Sequence, residues 1–124
     1  MRRGSLVLLV LGGAGCTTPT AVQVVVRNQA DSFEFHSTAL SKATDPRFYT
    51  WQNSGTQATV TLSTTSSAGT GRVIIRDAAN VVVFDSGLEP ALSELTQVGT
   101  AGSWHISITL TEFTGTLVLS VVKL

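Results

Sequence analysis

The chain has 124 residues, a single cysteine, and eight cationic side chains balanced by eight anionic ones. A chain of this length buries enough surface to hold one core without bridges, and a lone cysteine excludes an internal disulfide. With no cationic excess there is no face to neutralise a phosphate backbone, which argues against nucleic acid as a partner.

Arg2 and Arg3 precede the apolar run 6–11, and the small residues 12–15 lead to Cys16. A cationic start, a short apolar core and a small-residue cleavage region are the layout of an export signal. The run is far too short to cross a bilayer, which takes about 20 residues. The segment Leu11-Gly12-Gly13-Ala14-Gly15-Cys16 resembles the lipobox of bacterial lipoproteins. That resemblance implies that the Cys16 thiol is modified with diacylglycerol and becomes the mature N-terminus. The protein is then anchored by lipid in the cell envelope, outside the cytoplasm. Thr17 follows the cysteine, and by the same resemblance the absence of aspartate there implies the outer membrane in a diderm host. The alternative is a plain secretory signal that leaves Cys16 as a free thiol.

Cleavage before Cys16 removes two of the eight cations and leaves a net charge of about −2. Membrane attachment therefore comes from lipid rather than from a polybasic patch. Residues 1–15 read as signal, 16–20 as anchor and short tether, and 21–124 as one domain. The tether Thr17-Thr18-Pro19-Thr20 is polar, and its proline disfavours helix.

From residue 21 onward the apolar residues alternate, and β-branched and aromatic types are frequent, which predicts short strands. The first covers 21–27 and the second 32–37, with Phe33 and Phe35 on one face and Glu34 and His36 on the other. Asp45-Pro46-Arg47 reads as a turn before a strand at 48–52. In 58–63, Ala58, Val60 and Leu62 alternate with Thr59, Thr61 and Ser63, the pattern of a strand with one dry face. Residues 64–71 read as a polar loop. Strands at 72–77 and 81–85 flank Ala78-Ala79-Asn80, where Asn80 suits the left-handed conformation of a tight turn. Leu88, Leu92 and Leu95 fall at helical spacing around Pro90, so a single helical turn competes within 88–98. Trp104, Ile106, Ile108 and Leu110 share one face of a strand at 103–110, and Thr114-Gly115 turns the chain into a last strand at 116–124. About eight short strands predict an all-β fold, an antiparallel β-sandwich of jelly-roll or immunoglobulin-like type.

Three segments carry a further resemblance: Trp51-Gln52-Asn53-Ser54-Gly55, the run 73–84 around Asp77-Ala78-Ala79-Asn80, and the run 99–106 around Gly102-Ser103-Trp104. Together they resemble small bacterial lipoproteins and, more distantly, bacterial pre-peptidase C-terminal domains. Those modules are non-catalytic jelly rolls, so the resemblance implies a fold and a binding role rather than an activity.

Little in the chain points to catalysis. There is no Gly-x-Ser-x-Gly elbow, and the two histidines, His36 and His105, read as polar-face residues of separate strands. No cofactor is expected, and two histidines fall short of a zinc site. Asp77, Asn80 and Asp85 are weak candidates for calcium, since their oxygens lie in one hairpin. Arg72 and Arg76 read as a solvated face. Of the aromatics, Trp104 is in phase with core residues. Phe113 is weighed with them, and Tyr49 and Trp51 are the candidates for stacking on a sugar ring. The expected function is a non-catalytic binding module for a protein or envelope-polymer partner. The alternatives are a carbohydrate-binding module and a structural envelope protein. Binding residues sit on loops at the ends of a rigid sandwich, and the candidate loops are 38–47, 64–71 and 88–102.

Overall fold

The computed structural model describes residues 23–124, so the signal segment, Cys16 and the tether lie outside the described residues. Six strands form: β1 Gln23–Gln29, β2 Ser32–Asn53, β3 Ala58–Arg76, β4 Val82–Gly87, β5 Leu92–Leu95 and β6 Gly102–Lys123. None of the described residues is helical. The fold is all-β, a single antiparallel sheet with the order β1-β2-β6-β3-β4. β5 lies beside the first part of β3, at Thr59–Leu62, while β4 lies beside its last part, at Arg72–Arg76.

The expected eight short strands are therefore six, because β2, β3 and β6 run for 22, 19 and 22 residues. Segments that read as turns lie inside these long strands. Asp45-Pro46-Arg47 stays paired with 108–110 of β6, and 64–71 keeps its ladder to β6. The pairings shift register instead, between Ser37 and Asp45 on β2 and between Ser66 and Thr70 on β3. Such bulges bend a strand without ending it. Parity follows the bend: the buried residues of β6 are even-numbered from Trp104 to Leu110 and odd-numbered from Phe113 to Val121. One extra residue thus keeps the same face dry on both sides of the bend.

Backbone chemistry concentrates at this level. Lys42, Glu112, Gly69 and Gly115 all have positive φ, of 49°, 46°, 83° and 148°. A Cβ on Gly69 would run into the Glu112 carbonyl, and one on Gly115 into the Thr65 carbonyl. The two glycines permit the close crossing of β3 and β6 at the bend.

The bend brings the two ends of β2 together. The Asp31 N–H donates to the Gln52 carbonyl at 2.8 Å, and Phe33 meets Tyr49 at a ring-centroid separation of 5.3 Å. The core lies between, built from Phe33, Phe35, Val60, Leu62, Leu117 and Leu119 toward one end and Trp51, Val73, Ile75, Trp104, Ile106 and Ile108 toward the other. The helical turn considered for 88–98 is replaced by β5. Leu92 packs on the core, the Thr96 N–H donates to the Ala58 carbonyl at 2.8 Å, and the Ala58 N–H donates to the Thr96 hydroxyl oxygen at 3.1 Å. Pairing with β3 thus overrides the helical spacing of three leucines. The β3–β4 turn forms as expected, with Asn80 at φ 66°.

Candidate functional site

The three candidate segments meet around Phe113. Ala43 of β2 stands opposite Phe113, and the Lys42 and Glu112 amides donate to the Thr114 and Thr44 hydroxyls across the β2–β6 bend. On the other side of β6, Ala68 pairs with Thr114 and Thr70 with Thr111. The start of the third segment completes the group, because the Leu88 amide donates to the Gly71 carbonyl and the Thr64 hydroxyl donates to the Leu88 carbonyl.

On the β3 and β4 side of Phe113 lies an open recess of about 250 Å³, and none of its lining residues comes from β2. Backbone-rich walls come from Gly69, Gly71 and Gly87, and Leu88 and Phe113 supply the apolar lining. The exposed Glu89 carboxylate stands at this recess and accepts a hydrogen bond from the Ser66 hydroxyl at 2.9 Å. Buried apolar surface with one acidic group and exposed peptide groups suits a small contact residue from a partner.

At the far end of the strands a second recess of about 310 Å³ lies between the β1–β2 and β2–β3 turns and the start of β6. Asp31 dominates it. Its carboxylate accepts from the Ser54 amide at 2.7 Å and from the Ser54 hydroxyl at 2.9 Å, with the Lys123 ammonium 4.0 Å away. These bonds, the Ser54 amide first, hold the Asp31 carboxyl below the usual carboxylate range. Asn53 borders this recess. Its Oδ1 accepts from the Gly55 amide, and its buried Nδ2 has no partner among the described residues.

The residues singled out from the sequence fall in different places. Trp51 is fully buried, and its indole N–H donates to the Gln29 carbonyl at 2.9 Å, so it offers no ring for stacking on a sugar. Phe113 is buried as well. Tyr49 is half-buried against Phe33 and Phe35. The exposed aromatic on this strand is Phe48, at 71%. Alternation reveals that neighbours face opposite ways, and the burial of Trp51 assigns Phe48 to the wet side.

The three calcium candidates, Asp77, Asn80 and Asp85, do not share one arrangement. Asp77 is buried and serves the turn: one carboxylate oxygen accepts from the Ala79 and Val81 amides and the other from the Thr100 amide, all at 2.8–2.9 Å. The Val81 amide is the main reason its carboxyl is held below the usual range, against an opposing contribution from burial. Asp85 is engaged by the Arg72 guanidinium at 2.7 Å and 2.9 Å. Asn80 donates its amide to the Asp77 carbonyl and turns outward. No group of three metal-ligating side chains occurs among the described residues. His36 and His105 are both exposed, on opposite sides of the β6 bend. No protein-family model matches this chain, and no curated protein matches it.

Proposed function

We propose that this chain is a cell-envelope lipoprotein, anchored by lipid at Cys16, whose domain is a non-catalytic binding module for a protein or envelope-polymer partner. The leader pattern supports the location, and the recess around Phe113 carries the binding reading. Two separate stretches of chain, 66–71 of β3 and 87–89 after β4, line it together with Phe113 of β6, and it carries a single carboxylate, that of Glu89. We read the bent sheet as a β-sandwich: each long strand contributes to both layers, and Phe33 and Tyr49 touch across the interior. The jelly-roll or immunoglobulin-like type of that sandwich is part of the same proposal. The carbohydrate alternative has lost its principal residue, since Trp51 is enclosed.

The test is capture from envelope extracts by the wild-type chain and by the double variant Thr70→Arg, Glu89→Lys, which crowds the recess and inverts its charge. An envelope component held by the wild type and released by the variant, with unchanged circular dichroism, supports the reading. Equal capture by both removes the recess from the function. Mass spectrometry of the mature N-terminus checks the anchor: a diacylglyceryl-modified Cys16 is expected, and an unmodified residue there leaves a secreted protein.

A further inference from the structure

We propose that this chain forms a two-fold dimer in which β1 pairs antiparallel with β1 of a second copy, centred on Val25. β1 ends the sheet order, and its outward edge meets no strand among the described residues. In an antiparallel ladder every second residue turns its N–H and C=O away from the neighbour it already has. Over residues 23–27, β1 therefore presents backbone groups with no partner strand among the described residues, while at its end the Gln29 carbonyl accepts the Trp51 indole N–H.

The other strand edges carry features that obstruct pairing. The later part of β2 contains Pro46 and is bridged by Asn28 Nδ2, which donates to the Thr50 carbonyl, and by the Trp51–Gln29 bond. β4 has a register shift against β3 and bears Asp85 in an ion pair. β5 is four residues long. β1 is seven residues in unbroken register, with no proline and no acidic residue. Its one charge is Arg27.

Side-chain exposure on β1 shows what a neighbour must cover. Val26 stands opposite the fully buried Phe35 and so faces the core side, yet it remains 36% exposed. Val25 faces the other side and is 49% exposed. A strand laid alongside covers both.

The composition of β1 selects a second copy as that strand. A two-fold axis through Val25 sets Val25 against Val25, Val24 against Val26 and the neutral Gln23 against Arg27. All three valines then meet valines, and no like charges oppose each other. An axis at Val26 instead sets Val24 against Asn28 and Val25 against Arg27. An axis at Arg27 forces two guanidinium groups together. This pairing is independent of the recess near Phe113 and of what that recess holds.

Sedimentation velocity of the full chain carrying Cys16→Ser, over a range of concentrations, tests the proposal. A monomer–dimer equilibrium is expected. Val25→Arg, which opposes two cations at the axis, should weaken it about tenfold or more with circular dichroism unchanged. A second variant does not depend on that substitution being tolerated. Directly opposed strand residues lie within disulfide reach, so Val25→Cys should cross-link on mild oxidation, whereas Val82→Cys on β4 should not. A monomer at every concentration overturns the proposal. So does a dimer indifferent to Val25→Arg, which places the interface elsewhere or with another part of the chain, or Val25→Cys linking no more than Val82→Cys.

Discussion

Trp51 and Trp104 stand directly opposite each other on β2 and β6, edge to face at 90° with ring centroids 5.9 Å apart. Each indole N–H leaves the pair to find a backbone carbonyl, Gln29 for Trp51 and Thr100 for Trp104. The pair thus ties the end of β1 and the approach to β6 onto one buried contact. Trp51→Ala should cost about 3–5 kcal/mol, as expected for emptying a buried aromatic site. Trp51→Phe should cost less but leave the Gln29 carbonyl without its donor. A double-mutant cycle with Trp104→Phe, read by urea unfolding, should give a coupling of about 0.5–1.5 kcal/mol; additive losses would mean that the rings do not interact as described.

Asp77 is the second anchor of the same region, since the Thr100 amide that it holds belongs to the residue whose carbonyl receives Trp104. Its folded-state pKa is lowered, so its contribution is complete above the unfolded carboxylate pKa, near 4, and is lost as pH falls through the folded value. Asp31 acts in the same direction. The urea midpoint should therefore be flat from pH 7 down to about 5 and fall on further acidification. Asp77→Asn should lower the midpoint at pH 7 and shallow the acid limb. An acid limb as steep in this variant as in the wild type would show that other groups set it.

The bend depends on two glycines. Gly69→Ala and Gly115→Ala should each cost more than about 1 kcal/mol, because a methyl group meets backbone and the positive φ disfavours it. Gly87→Ala is the control. Its nearest neighbours are at 3.8 Å and 4.0 Å, and the change should stay within about 0.5 kcal/mol. Urea midpoints of the three variants check the ordering.

Much of this fold can be read from local alternation. The dry faces at Ala58–Val60–Leu62 and Trp104–Ile106–Ile108–Leu110 are buried, and Asn80 takes its left-handed turn. The bends cannot be read that way. Asp45-Pro46-Arg47 and the small polar run 64–71 carry turn residues, but pairing with β6 determines that the ladder continues through them, and that pairing is long-range. β5 was hidden for the same reason. Its leucines fit a helix as well as a strand, and the open edge of β3 decides between them. At the site, the sequence identifies the segments 38–47, 64–71 and 88–102 but not their meeting point, which is set by the register of β6 around Phe113. Period two also leaves open which face is wet, so Trp51 and Phe48 exchange the roles that an exposed aromatic platform would require.

The reading of the recess beside Phe113 as a contact face is tested most directly by site-specific photocross-linking in cells. A photoreactive side chain is placed at Thr70, beside the recess, and at Thr50, on the outward face of β2. A discrete envelope adduct from Thr70 and none from Thr50 is the predicted outcome. Adducts that are absent at Thr70, or the same at both positions, would contradict a binding face around Phe113.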